Sequence, residues 1–326
     1  MKNLTKVSVL NSLNFQALEL LKKIPEFISF QFPDLIGTNF EVMEAGITTL
    51  TVCVNKKIYI KVFIPKWQDS QGEFLNIIVK NYSHISLIDF EDTCPKCLYF
   101  AEKDQILNYP VYVQEAFNGN VLIDIFYKLD LSERLKMASK ISHALKKFHK
   151  IKTKPFNFNN SWRVNMFDTR FQECTNIIPI NMKEKYADLR SKIDLEVFQK
   201  ATTLLHNDIH LENILVNSHG KMMLIDLDWV GYGLPFLELR KIFVFCFFPM
   251  QMCKPSLVNF YHQQYPEVFE QIIKVYPKLW SKKYESEILL TLASEIMQKF
   301  KNPEMREFAL IAHECIFNYV QIDIIK

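Results

Sequence analysis

The run from Leu205 to Val216, Leu-His-Asn-Asp-Ile-His-Leu-Glu-Asn-Ile-Leu-Val, concentrates the residue types with the most chemical capacity. Asp208 stands in a polar loop directly after an apolar, β-prone stretch. Asn213 follows five residues later and leads into the next such stretch. Asn217-Ser-His-Gly220 is a turn signal, and Lys221–Ile225 reads as the returning strand. Asp226 ends that strand in Ile225-Asp-Leu-Asp-Trp. A hairpin of this kind brings a carboxylate, an amide and a second carboxylate to one edge. Their oxygens are hard donors of the kind Mg²⁺ takes. Phosphoryl transfer needs such a cation to neutralise phosphate charge, and a carboxylate to accept the proton of the attacking hydroxyl.

The elements around this hairpin divide the chain by character. Leu13–Ile28 has helical spacing interrupted by Pro25. Thr49–Val54 and Ile58–Ile64 are β-prone runs flanking Asn55-Lys-Lys57, a hairpin signal, and Gly46 suggests a first strand and tight turn upstream. Asp69–Lys80 reads as a helix and Tyr109–Glu115 as a strand broken by Asn118-Gly119. From there the pattern is helical. Ser132, an N-cap candidate, opens a long segment to His149 with Leu135, Ala138, Ile141, Leu145 and Phe148 on one face. His143 and His149 on that segment read as structural or solvent-exposed. After the hairpin, helices run from Leu234 to the end, including a buried one over Ile242–Met250. A β-rich first part and a helical second part make an α+β, two-lobed fold. The boundary falls so that residues 1–117 form the N-terminal lobe and 118–326 the C-terminal lobe.

Composition bounds the possibilities. The 326 residues are 49% hydrophobic and 23% charged, which excludes wholesale disorder. Lys+Arg number 39 and Asp+Glu 36, and a net charge of +3 carries no footprint for nucleic acid. No apolar run approaches the ~20 residues needed to span a bilayer, and no signal-peptide pattern opens the chain, so no membrane association and a cytoplasmic location are expected. Seven scattered cysteines, an odd number, fit a reducing compartment. Cys94-Pro-Lys-Cys97 is half of a zinc signature without a second half and reads as reduced, buried thiols.

The catalytic segment resembles the aminoglycoside phosphotransferase/choline kinase-like family, whose fold is that of protein kinases. Its loop pattern, H-G-D-x-H-x-x-N, is matched by His206-Asn-Asp-Ile-His-Leu-Glu-Asn213, with Asn207 in place of Gly. Its metal pattern is matched by Ile225-Asp-Leu-Asp-Trp-Val-Gly-Tyr-Gly-Leu-Pro235, with Leu234 where Asp is common. Leu234–Lys241 has a local likeness to the spore-coat kinase-like branch. The resemblance implies a small antiparallel N-lobe sheet and a larger helical C-lobe. It implies Asp208 as catalytic base, His206 shaping the loop, Mg²⁺ on Asn213 and Asp226, and Asp228 as a secondary metal or structural carboxylate. It places Lys61 on the nucleotide phosphates, paired with Glu73, and Gly46 in the loop over the phosphates. By position alone, Glu115 and Phe117 belong to the hinge that meets the adenine.

The implied activity is transfer of the γ-phosphoryl group of ATP or GTP to a hydroxyl of a small, amine-bearing molecule. Trp280, Glu285, Glu287 and Glu295 are available for a cationic acceptor, although Glu on helices more often faces water. A protein kinase of the same fold is disfavoured, because the multi-Gly loop, D-F-G and A-P-E are lacking. A non-catalytic binding or structural module is disfavoured by the joint presence of Lys61, Asp208, Asn213 and Asp226.

Overall fold

The computed structural model describes residues 15–35, 39–45, 49–64, 73–156, 159–249 and 263–319. The described chain forms two compact units: residues up to Gly119 together with Leu227–Trp229, and Asn120–Asp226 together with the residues from Val230 onward.

The first unit holds helix α1 (Phe15–Gln31), strands β1 (Phe40–Ala45), β2 (Thr49–Val54) and β3 (Ile58–Phe63), helix α2 (Glu73–Ile85), and strands β4 (Cys97–Ala101) and β5 (Val111–Glu115). The strands form one antiparallel sheet in the order β1-β2-β3-β5-β4. Asn55 and Lys56 connect β2 to β3 with φ of 51° and 56°. Two consecutive left-handed residues let the turn follow the twist of the strands. Leu50, Val52 and Val54 on β2 and Ile58, Ile60 and Val62 on β3 are buried in one cluster with Ile24, Phe27 and Ile28 of α1. The period of two then places Lys61 on the other face, paired in register with Thr51 and Tyr112.

Two sequence expectations change here. Helix α1 runs through Pro25 rather than breaking there. Ile24, Phe27 and Ile28 are fully buried. Burial of three such side chains, at about 1.5–3 kcal/mol each, exceeds the ~3 kcal/mol that an interior proline costs a helix. Strand β4, which begins at Cys97, was not legible. Cys94 and Cys97 are free, Cys94 is buried, and burial pushes both thiols up, so they stay protonated.

The second unit holds strand β6 (Asn120–Val121) and helices α3 (Ile123–Phe126), α4 (Leu131–Phe148), α5 (Trp162–Cys174) and α6 (Ile180–Ser191). Strands β7 (Thr203–Leu205), β8 (Ile214–Val216), β9 (Met222–Leu224) and β10 (Gly231–Gly233) follow, then helices α7 (Leu239–Phe247), α8 (Pro266–Val275), α9 (Glu285–Phe300) and α10 (Arg306–Tyr319). Asp130, rather than Ser132, caps α4: its carboxylate accepts from Glu133 N–H at 2.8 Å, and Glu133 reciprocates at 3.2 Å. Strands β6, β8 and β9 form one small sheet and β7 and β10 another. Helix α9 is buried on nearly every face. Glu287 and Glu295 therefore lie inside the unit, against the expectation of a solvated face. Among the described residues no helix is long and apolar enough to cross a membrane.

Candidate active site

Strand β7 ends at Leu205, and its pairing with β10 fixes where the polar loop begins. Gly233 on β10 is tightly packed: a Cβ there would lie 2.8 Å from side-chain atoms of Leu205 and Leu237. His206 is fully buried, and its Nε2 lies 2.9 Å from the carbonyl oxygen of Ile225, the residue before Asp226. The imidazole thus ties the loop to the return strand. Buried Glu238 holds the loop from another side, accepting from His206 N–H at 2.5 Å and Asn207 N–H at 3.0 Å. His149 Nε2 lies 3.4 Å from the same carboxylate, so this histidine is a buried structural residue, while His143 is exposed.

Asn207 has φ of +63°. That left-handed geometry explains why the family pattern uses glycine here and why asparagine, which tolerates it, is the substitute. The asparagine adds a contact glycine lacks: its Oδ1 accepts from Arg163 Nη2 at 2.9 Å.

Asp208 sits at the centre. Its Oδ1 is 2.7 Å from Lys241 Nζ, and its Oδ2 is 3.4 Å from His210 Nε2 and accepts from Asn213 Nδ2 at 3.1 Å. Burial alone would push the carboxyl up. The hydrogen bond to His210 and the charge of Lys241 more than reverse this, holding it well below the usual carboxylate range. Asp208 is ionised at neutral pH.

Asn213 Nδ2 also donates to the Asp208 carbonyl at 3.0 Å, so the amide orientation is set and Oδ1 is the end that could serve a cation. Asn213 and Asp226 stand at the same end of the β8–β9 hairpin, whose ladder extends through the Ile225 N–H to Asn213 carbonyl bond of 2.9 Å. Asp226, at φ of +61°, follows at once. One carboxylate and one amide oxygen fit Mg²⁺, which takes one or two carboxylates and completes its shell with phosphate oxygens and water. No group of three or more His, Cys, Asp or Glu that could hold a metal occurs among the described residues.

In the first unit, Lys61 Nζ is 2.5 Å from Asp228 Oδ1 and 3.2 Å from Tyr82 Oη. Tyr82 donates to the same carboxylate oxygen at 2.7 Å, and Asn81 donates to the Asp228 carbonyl at 2.9 Å. Asp228 is thus tied to Lys61 and helix α2. Gly46 and the Glu73 side chain lie outside the described residues. At the hinge, Glu115 N–H donates to Lys96 and Ala116 N–H to Lys57. Those two donors are engaged by the sheet, and half-buried Phe117 is the first residue beyond them. Lys241, Glu238 and Arg163 escaped sequence inspection. Lys241 and Glu238 lie thirty or more residues beyond Asp208 and Arg163 well before it, and no spacing rule joins them to it.

The Phosphotransferase enzyme family model matches residues 87–268, more than half of the chain, and the chain belongs to that family. No curated protein sequence matches. Among solved structures, the GDP complex of wild-type aminoglycoside 2'-phosphotransferase-IIIa is 12% identical, with 90% of this chain and 96% of that one covered and a TM-score of 0.55. The streptomycin-ATP-APH(2")-IIa ternary complex is 16% identical, with coverages of 91% and 95% and a TM-score of 0.55. A choline/ethanolamine kinase family protein from Mesorhizobium loti is 14% identical, with coverages of 92% and 94% and a TM-score of 0.51. These likenesses establish the kinase-like α+β fold.

Proposed function

We propose that this protein is an ATP- or GTP-dependent kinase that phosphorylates a hydroxyl of a small molecule. The observation that carries this is the ionised Asp208 locked to Asn213, with Asp226 at the same hairpin end. In this reading residues 1–117 bind nucleotide and 118–326 carry catalysis and acceptor binding. The neighbours whose names include GDP and ATP complexes support a nucleotide substrate.

Each residue's role follows from its chemistry. Asp208 orients the acceptor hydroxyl and takes its proton as the oxygen bonds to the γ-phosphorus. The bond from that phosphorus to the bridging oxygen breaks, and the nucleoside diphosphate leaves with the electron pair. Asn213 and Asp226 would hold Mg²⁺, which neutralises charge on the β- and γ-phosphates. Lys61 contacts the phosphates, and Asp228 with Tyr82 holds its ammonium in place. His206 and Glu238 keep the loop in shape. The backbone after Glu115, at Phe117, meets the base.

The test is a melting experiment with millimolar ATP or GTP and Mg²⁺. Binding to the native state adds RT ln(1+[L]/Kd) to stability. A rise in Tm of several degrees that requires Mg²⁺ is expected. No shift with either nucleotide would make the fold a scaffold without kinase function.

A further inference from the structure

A cavity of the second unit lies apart from the residues given roles above. It is open to solvent at about 710 Å³, within the roughly 300–1,000 Å³ of pockets that take small organic ligands. Three short segments frame it: Thr202 and Thr203 where β7 begins, Pro235 after β10, and the stretch from Pro277 to Tyr284 that leads into α9. None of Asp208, Asn213, Asp226 and Lys241 lines it. The 3-10 turns at Pro235–Glu238 and Pro277–Leu279 each begin with proline, whose ring fixes φ, so these walls keep their shape without a ligand. Trp280 is buried in one wall, its ring edge-on to Phe269 at 6.2 Å. No carboxylate lines the cavity, so the aromatic-plus-carboxylate arrangement expected around Trp280 for an amine is not formed there.

The charge of the lining has one sign. Lys278, Lys282 and Lys283 line the cavity and are exposed, and half-buried Lys200 stands two residues before Thr202. The ammonium groups of Lys200 and Lys283 lie 5.8 and 5.5 Å from the ring centre of Tyr284, another lining residue, and that ring is packed on Phe236 at 5.9 Å. The rim thus holds two of its cations in place. The ammonium groups of Lys200, Lys278 and Lys283 form no ion pair with a described carboxylate. Glu285 and Glu287 follow in sequence, but neither lines the cavity, and Glu287 is buried and accepts from the Asp194 N–H at 3.2 Å. Three cations without a counter-ion repel one another, and a ligand with two or more negative charges relieves that repulsion. The kind of cation narrows the ligand further. A guanidinium fork matches the plane of a carboxylate, whereas an ammonium is a point charge that can meet a tetrahedral phosphate from any side. Ser281 and Tyr284 add hydroxyl groups to the same lining.

The geometry points to a second ligand site: this cavity binds a small compound carrying a phosphate monoester or a diphosphate, held by Lys200, Lys278 and Lys283. The site does not depend on the kinase reading above.

The test uses the full chain at constant ionic strength and without nucleotide. Reductive methylation read by mass spectrometry follows each lysine, and calorimetry follows affinity. Glucose 6-phosphate stands for a monoester, pyrophosphate for a diphosphate, malate for a dicarboxylate and choline for a cation. At millimolar concentration at least one of the two phosphate compounds should protect Lys200, Lys278 and Lys283 while exposed Lys147 on α4 stays reactive, and the one that protects at the lower concentration identifies the form bound. Malate and choline should protect none of them. The double variant Lys278→Gln/Lys283→Gln, at exposed positions, should weaken the calorimetric affinity about tenfold or more and abolish protection of Lys200. Lys61→Met should leave the protection unchanged, which separates this cavity from the proposed grip on nucleotide phosphates. Absence of protection by both phosphate compounds would overturn the proposal. So would equal protection by malate, equal protection of Lys147, an affinity indifferent to the double variant, or loss of protection in Lys61→Met. The Mg²⁺-dependent melting shift with ATP or GTP is a separate readout, so failure of the kinase reading would show there and not here.

Discussion

At the scale of single residues, each unit carries one charged contact that the proposed function uses, Asp208 with Lys241 in the second and Lys61 with Asp228 in the first. Because Asp208 is held below the usual carboxylate range, it is already ionised across the neutral range. Its folded value is depressed, so the stability it contributes is present above an unfolded value of about 3.9 and is lost as pH falls below that. Turnover should therefore show no acid limb from this group above about pH 5, as a pH–rate profile of kcat/KM would reveal. Asp208→Asn should lower kcat by about 10²-fold or more, the scale of a lost general base. Lys61→Met should weaken nucleotide binding and also cost about 1–3 kcal/mol, because the Asp228 carboxylate loses its cation. The double variant Lys61→Met/Asp228→Asn should regain stability in urea melts but not nucleotide affinity. Recovery of both would show that Lys61 is structural only.

At the scale of elements, the loop conformation decides which sequences can carry the site. Asn207→Gly should be tolerated within about 1 kcal/mol, whereas Asn207→Val, a β-branched residue at φ of +63°, should destabilise by more than that. Equal stabilities in urea melts would mean the left-handed turn is not required. Pro25→Ala should stabilise α1, by about 1–2 kcal/mol once the entropy gained by the unfolded chain is set against the restored hydrogen bond. These elements also show what sequence could reveal. The β2–β3 hairpin and the Asp208–Asn213–Asp226 spacing were legible because turn chemistry and local register are local. Continuation of α1 through Pro25 depends on what packs against it. Burial of Glu287 and Glu295 depends on neighbours that cover nearly every face of α9. The grip of Glu238 on the loop, and that of Lys241 on Asp208, are contacts between residues thirty or more apart, invisible to any periodicity.

At the scale of the whole molecule, the net charge is only +3, and Lys299 is one of the charged side chains that folding buries. Its folded value of about 8 lies below an ordinary lysine value near 10.4. Below pH 8 it is protonated in both states. Between about 8 and 10 the native state releases its proton first, so stability rises with pH. The Tm gap between Lys299→Met and the wild type should therefore close over that window, and a constant gap would show that Lys299 is unstrained. The division of labour between the two aspartates is the central claim, and calorimetric titration with Mg·ATP tests it most directly. Asp226→Asn should weaken Mg²⁺-dependent binding by at least about tenfold, some 1.4 kcal/mol, because a neutral amide is a poorer ligand for a hard cation. Asp208→Asn should bind Mg·ATP as the wild type does. Loss of binding in Asp208→Asn with retention in Asp226→Asn would contradict the assignment and exchange their roles.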